Sequence, residues 1–156
     1  MKKITLLFLS SILLLGMVAC GNNAKTSSSA PDSTEKVGDV PTDKTILANK
    51  KDATSQIRRD QLNADIRARE QRNNITGGDT NRASSDLASE VRSKLEANIP
   101  SSQLTVTAKD GAIIVSGTVQ TQEQLNKINS LTKEIKGVKS VQVLVKIATA
   151  TSSPKQ

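Results

Sequence analysis

Apolar and polar residues alternate from Leu104 to Val119, and this pattern predicts two β-strands joined by a tight turn. Asp110-Gly111 lies between the two runs, and this dipeptide favours the two-residue turn of a hairpin. The turn fixes a register with three pairs on one apolar face: Ala108–Ile113, Val106–Val115 and Leu104–Gly117. The opposite face is mostly polar: Thr105, Thr107, Ile114, Ser116 and Thr118. A lone hairpin is not stable, so we expect flanking segments to cover its apolar face.

Two helices and a third strand are predicted around the hairpin. Apolar residues recur at helical spacing from Leu87 to Leu95, and Pro100 ends that helix. A capping box at Thr121–Gln124 begins the second helix, and Gly137 stops it. Alternation from Val141 to Ile147 is typical of a half-buried strand. The predicted buried positions are Leu87, Val91, Leu95, Ile99, Leu104, Val106, Ile113, Val115, Val119, Leu125, Ile128, Leu131, Ile135, Val138, Val141, Val143, Val145 and Ile147.

The order helix, strand, strand, helix, strand predicts a small α+β domain between about residues 84 and 148. We expect a three-stranded mixed sheet with both helices on one face. Because two helices cover only that face, Ile114 and Leu144 on the other are expected to meet water or a protein partner. Gly117 is expected to let a neighbouring segment pack closely opposite Leu104.

The segment before this domain lacks a clear apolar pattern. Residues 22–47 contain three consecutive serines, two prolines and mixed charges, which predicts a disordered tether. Residues 50–73 are rich in helix formers and predict at most a marginal charged helix, with Asp65 and Arg69 paired one turn apart. Its arginines suit phosphate groups, but a solvated charged surface is the favoured interpretation: Arg58, Arg59, Arg67, Arg69 and Arg72.

The first twenty residues have the pattern of a secretory signal. Lys2-Lys3 precedes an apolar run from Ile4 to Leu15, which is too short to span a membrane comfortably. Ala19 then precedes Cys20, and this ending resembles the lipobox of bacterial lipoproteins. The resemblance implies cleavage before Cys20 and modification of that residue with fatty acyl chains such as palmitate, enough for stable anchoring. An uncleaved anchor or a free thiol are the alternatives.

Composition narrows the chemistry. The 156 residues carry a net charge of +7 and contain no His, Trp or Tyr, one Cys and one Phe. Histidine-based catalysis and histidine-ligated metal are therefore excluded, and no cofactor or metal is expected. Apart from that one Phe, the chain also lacks the aromatic side chains on which nucleic-acid bases usually stack, so nucleic acid is not an expected partner. The modest basic excess suits an anionic surface, and it suits ordinary solubility equally well.

The folded segment resembles the BON domain family. The resemblance rests on Asp86-Leu87, the hairpin with its Asp110-Gly111 turn, the run from Val115 to Val119, Gly137-Val138 and the last strand. It implies a non-enzymatic periplasmic module associated with phospholipid binding, envelope maintenance and osmotic stress. BON domains often occur in pairs, whereas this chain has one. Because the segment lacks aromatic residues, we expect an electrostatic lipid contact rather than deep insertion.

The predicted division of the chain has four parts. Residues 1–19 are the signal peptide, 20–81 the lipidated N-terminus with tether and charged helix, 82–150 the BON domain, and 151–156 a disordered tail. The predicted location is the cell envelope, anchored by Cys20. Gly21 follows that cysteine instead of the Asp that retains enteric lipoproteins in the inner membrane, which favours the outer membrane facing the periplasm.

Two functions from different classes follow. In the first, a membrane-anchored lipoprotein binds anionic phospholipid through basic side chains on the two helices: Arg92, Lys94, Lys127, Lys133, Lys136 and Lys139. In the second, a protein-interaction adaptor uses the open sheet face around Ile114 and Leu144, or the sheet edge. An enzyme is not expected. Asp86 and Glu90 lie one helical turn apart, but acidic residues favour a helix N-terminus without any catalytic role.

Overall fold

The computed structural model describes residues 23–76 and 82–148. The predicted signal peptide, Cys20 and the C-terminal tail lie outside these ranges. The described elements are β1 (Asn23–Lys25), α1 (Asp43–Thr54), α2 (Gln56–Thr76), α3 (Ser84–Asn98), β2 (Gln103–Lys109), β3 (Ala112–Val119), α4 (Gln122–Lys133) and β4 (Ser140–Ile147). The α+β class with a mixed sheet is confirmed, although the sheet has four strands rather than three.

The hairpin organises the sheet as its sequence predicts. Strands β2 and β3 pair antiparallel with Ala108 opposite Ile113 and Leu104 opposite Gly117. Asp110 and Gly111 both have positive φ, 52° and 88°, as the two-residue hairpin turn requires. Strand β4 lies parallel to β3 and β1 lies antiparallel to β2, so the order across the sheet is β1-β2-β3-β4.

Helices α3 and α4 cover one face of the sheet, as predicted. Most predicted buried positions lie in one apolar cluster, including Leu87, Val91, Val106 and Ile128. Ile147 is an exception, because its side chain is 43% exposed. It lies in β4, the edge strand, where only one side of the strand has a neighbour to cover it. The capping prediction for α4 is confirmed: the Gln124 N–H donates to Thr121 Oγ1 at 3.2 Å.

The predicted disordered tether has regular structure instead. β1 adds a strand beside β2, and residues 26–41, here named the strap, then cross the outer face of the sheet. Ser116 Oγ donates to the Lys36 carbonyl at 3.0 Å, and Thr105 Oγ1 donates to the Pro31 carbonyl. Thr105 and Ser116 are consequently buried on the face that was expected to be open. The strap binds through hydroxyls and backbone carbonyls, so it has no apolar periodicity.

The charged segment forms two helices rather than one. α1 begins after the N-cap Thr42, ends at Thr54, and α2 continues from Gln56 beyond an extended Ser55. α2 packs against α3, with the Leu62 side chain buried in its middle. Among residues 23–76 and 82–148, no helix is both long and apolar enough to cross a membrane.

Candidate functional site

The interface between α2 and α3 is built mainly from ion pairs. Glu96 on α3 accepts from Arg58 Nε at 2.5 Å and from Arg58 Nη2 at 2.9 Å. Asp86 accepts from Arg69 Nη1 at 2.6 Å and from Arg72 Nε at 3.0 Å. α2 is therefore a docked helix, and the interpretation of this segment as a solvated charged surface is wrong for Arg58 and Arg69, whereas Arg72 pairs with Asp86 and remains 55% exposed. Exposed pairs contribute little, but Asp86 and Glu96 are both buried.

Asp65 connects the same two helices from the α2 side. Its Oδ1 accepts from Arg69 at 2.9 Å, which confirms the predicted pair, and its Oδ2 accepts from Arg92 and Ser93 at 3.1 and 2.8 Å. Arg92 also donates to Glu96 at 3.2 Å. Arg92 was a predicted lipid contact, but the structure places it inside this interface. Its side chain is only 16% exposed.

Glu90 is buried one turn beyond Asp86. Arg82 Nη1 donates to Glu90 Oε2 at 3.1 Å, and both side chains are fully buried. Burial raises the pKa of the Glu90 carboxyl to about 7, and nearby Glu70 and Asp86 add to this rise, whereas Arg82 and Arg69 oppose it. The carboxylates of Asp86 and Glu90 thus both pair with arginines, and no nucleophilic side chain contacts them among the described residues. No cluster of His, Cys, Asp and Glu within residues 23–76 and 82–148 suits a metal ion.

Replacing Glu90 with glutamine is expected to change how stability depends on pH. The ordinary carboxyl pKa is 4.5, so the folded state keeps a proton that the unfolded chain releases between about pH 4.5 and 7. The stability that Glu90 contributes therefore falls as pH rises through this window, by on the order of 3 kcal/mol. Urea unfolding at several pH values should show this fall in the native chain, and Glu90→Gln should lack it. Equal slopes in both proteins would contradict the raised pKa.

The remaining predicted lipid contacts lie on or near α4. Lys94 is held by Glu134 at 2.7 Å, which ties α3 to the end of α4. Lys127, Lys133 and Lys139 are exposed and form no ion pair within the part of the chain that the structure describes. Lys136 is also exposed, in the turn after α4. Of the six predicted lipid contacts, Arg92 and Lys94 thus form ion pairs with other residues of the chain. The other four are exposed: Lys127, Lys133, Lys136 and Lys139.

Several of these lysines gather at one end of the sheet. The Lys139 N–H donates to the Gly111 carbonyl at 2.8 Å, so the start of β4 lies beside the hairpin turn. Lys109, the last residue of β2, pairs with Ala112, which in turn pairs with Ser140. We name this region the lysine end: Lys109, Lys133, Lys136 and Lys139. Sequence reasoning missed Lys109, although its place beside the Asp110-Gly111 turn was a usable signal.

The predicted partner face is only partly open. Ile114 is half-buried on the outer face, where the strap lies over the neighbouring strands. Leu144 is 42% exposed on β4, which lies at the sheet edge away from β1. The exposed apolar residue of this face therefore lies at the β4 edge, at Leu144, rather than at the centre of the face as predicted.

Comparison with known proteins assigns the folded segment. The BON family model matches residues 83–149, which include α3, the hairpin, α4 and β4. This segment is a BON domain. The match does not include β1, the strap, α1 or α2, all of which lie before residue 83. The BON domain accounts for under half of the chain, and how the rest divides into domains stays a prediction.

One curated relative adds to this assignment. The chain is 42% identical over 55 residues to osmotically inducible protein Y of Escherichia coli (strain K12). The match covers 34% of this chain and 27% of the relative, so the chain spans about a quarter of that protein's length. No solved structure matches.

Proposed function

We propose that this chain is a cell-envelope lipoprotein, anchored through acylated Cys20, whose BON domain binds anionic phospholipid. The role is envelope maintenance or the response to osmotic stress, in keeping with the name of the relative that shares the domain. Gly21 after Cys20 supports an outer-membrane location facing the periplasm. No catalytic role is proposed, since the resemblance to BON domains implies a non-enzymatic module and the buried carboxylates of Asp86 and Glu90 are paired with arginines.

One observation carries the lipid-binding proposal. Four arginines of α2 and α3 pair with carboxylates in their interface, namely Arg58, Arg69, Arg72 and Arg92. Lys127, Lys133 and Lys139 instead project into solvent without an ion pair among the described residues. An anionic leaflet attracts each nearby lysine by about 1 kcal/mol. Together these side chains suffice for weak, salt-sensitive attachment, which membrane anchoring at Cys20 then strengthens.

Charge reversal at these three lysines is expected to remove binding to anionic vesicles. Residues 21–156, which lack the acylation site, would be floated with phosphatidylglycerol or with zwitterionic vesicles at low and physiological salt. Binding to phosphatidylglycerol alone, weakened by salt, is the expected result. The variant Lys127→Glu/Lys133→Glu/Lys139→Glu should bind at least about a hundredfold more weakly.

A matched variant controls for net charge. Lys44, Lys50 and Lys51 on α1 are also exposed, so Lys44→Glu/Lys50→Glu/Lys51→Glu changes the total charge equally at another place. It should retain most of the vesicle binding. Equal losses in both variants would show attraction by net charge rather than by the BON domain surface, and binding to neither vesicle by the native chain would refute the proposal.

A protein-interaction adaptor is the second candidate, favoured by the edge strand β4. Leu144 and Ile147 are exposed there, and the free side of β4 suits addition of a partner strand. Leu144→Asp, with Ile114→Asp as the second variant, should then abolish crosslinking to an envelope protein while leaving vesicle flotation unchanged. Loss of function from these variants alone would reject the lipid proposal in favour of the adaptor.

A further inference from the structure

The position of β1 limits how far the BON domain can lie from the acylation site. β1 begins at Asn23, so only Gly21 and Asn22 separate it from Cys20. With Cα atoms 3.8 Å apart along the chain, the Cα of Cys20 lies no more than about 11 Å from that of Asn23. A tether of some sixty residues would instead have allowed a separation of roughly 45 Å.

The register of β1 decides which end of the domain is near Cys20. Asn23 lies opposite Thr107 and Lys25 opposite Thr105, so the antiparallel strand enters the sheet at its hairpin-turn end. Lys109 is only two residues beyond Thr107 along β2. The chain therefore leaves Cys20 and joins the sheet next to the lysine end.

Several contacts hold β1 in this register. Thr107 Oγ1 donates to Asn23 Oδ1 at 2.7 Å, and Ala24 packs against the apolar core. The Thr26 N–H donates to the Leu104 carbonyl, and the Leu104 N–H donates to Thr26 Oγ1, both at 2.9 Å. β1 is thus fixed through backbone, side chain and core, and the entry point of the chain is fixed with it.

The two ends of the BON domain differ in charge. At the hairpin-turn end, Lys109, Lys133 and Lys139 are exposed without an ion pair among the described residues. Of the acids near them, Asp110 and Glu35 are exposed, whereas Glu134 pairs with Lys94 and Asp86 pairs with Arg69 and Arg72. At the opposite end, the loops over residues 97–102 and 119–122 carry no charged side chain. An anionic surface therefore attracts the end that the anchor already holds close.

We propose that the BON domain docks on an anionic phospholipid surface by its lysine end, held there by the short link from Cys20 to β1. This inference rests on the proposed lipidation of Cys20. Because the acylated Cys20 is already in the membrane, the short link keeps Lys109 and Lys139 close to the headgroups. Weak individual attractions then act at a high effective concentration. The opposite end, about 25 Å away along the strands, then faces the periplasm.

Short-range fluorescence quenching tests this orientation in the lipidated full-length chain. The acylated protein would be reconstituted in vesicles of phosphatidylglycerol and phosphatidylcholine in equal parts, with a spin-labelled headgroup lipid as quencher. Two exposed alanines at opposite ends accept a labelled cysteine: Ala112→Cys beside the turn and Ala97→Cys near the end of α3. Quenching should be severalfold stronger at position 112 than at position 97.

A longer link provides the matched control. Insertion of twenty Gly and Ser residues between Gly21 and Asn22 adds roughly 25 Å of flexible chain without changing the fold. The difference in quenching between the two positions should shrink, and Lys109→Glu/Lys139→Glu in the same background should abolish it. If the native link gives equal quenching at both positions while the protein floats with vesicles, the orientation is refuted and the lipoprotein proposal stands.

The anchor itself is checked with Cys20→Ser. If the native chain carries no acyl group, or if it sediments as the serine variant does, then the proposed lipidation fails and the docking inference fails with it. Acylated native chain that floats at physiological salt, beside a serine variant that does not, validates the premise. The quenching comparison then decides the orientation.

Discussion

Gly117→Ala is expected to lower the free energy of unfolding by about 3 kcal/mol. A Cβ at this position would lie 2.0 Å from the Gln103 carbonyl oxygen and 3.1 Å from the Leu104 Cα, and the glycine φ is +126°. The obstacle is the backbone of β2, which cannot move aside without breaking the hairpin register. The close approach opposite Leu104 expected from the sequence is therefore confirmed. Urea denaturation followed by far-ultraviolet circular dichroism measures the loss.

Gly38→Ala is the matched comparison for this prediction. Gly38 also has a positive φ, +85°, but a Cβ there would meet only the Pro31 side chain, at 2.8 Å, within the strap. Its loss of stability should be about 1 kcal/mol, because a loop and a side chain can adjust. A cost at Gly117 no greater than at Gly38 would contradict the close packing of β2 against β3.

Glu96→Gln is expected to loosen α2 from the BON domain and to cost about 2 kcal/mol. The Glu96 side chain is 2% exposed, and its carboxylate receives Arg58 and Arg92 together. The amide removes the charge while keeping the shape, so Arg58 loses its short ion pair and Arg92 keeps only Asp65 as a counter-charge. Hydrogen exchange followed by mass spectrometry should show faster exchange in α2, with the hairpin still protected.

Glu123→Gln serves as the control for this substitution. Glu123 is an exposed residue in the first turn of α4, and its neutralisation should change stability by less than about 0.5 kcal/mol. Unchanged exchange in α2 of the Glu96 variant would show that Leu62 and other packing hold the helix, and that the ion pairs are incidental.

The predictable part of this fold is the part with local signals. Asp110-Gly111 and the alternation around it define the hairpin within sixteen residues, and Thr121 with Gln124 marks the start of α4. Each signal depends on neighbours in sequence, and turn chemistry and side-chain period agree on one answer. No local signal shows which basic side chains form ion pairs and which face solvent, because the partners of Arg58 and Arg92 lie 38 and 27 residues away in sequence.

β1 and the strap show the other limit of the sequence. A strand of three residues, Asn23–Lys25, is too short to display an alternation, and its partner strand begins nearly eighty residues later. The strap is held by Thr, Ser and backbone carbonyls, a composition equally typical of disordered chain. Ala24 is the one apolar residue of β1, and a single alanine does not predict a buried strand.

The pairing of β1 with β2 also sets an order of assembly. It closes a loop that contains the strap, α1, α2 and α3, whereas the hairpin closes across two residues. Long-range pairings form late, because the entropy of closing the loop is lost before any contact compensates for it. The BON domain is therefore expected to fold first, with the edge of β2 still vacant. If Cys20 is acylated as proposed, acylation takes place before β1 has paired with β2. The later pairing of β1 then fixes the BON domain at a short distance from the acylated residue.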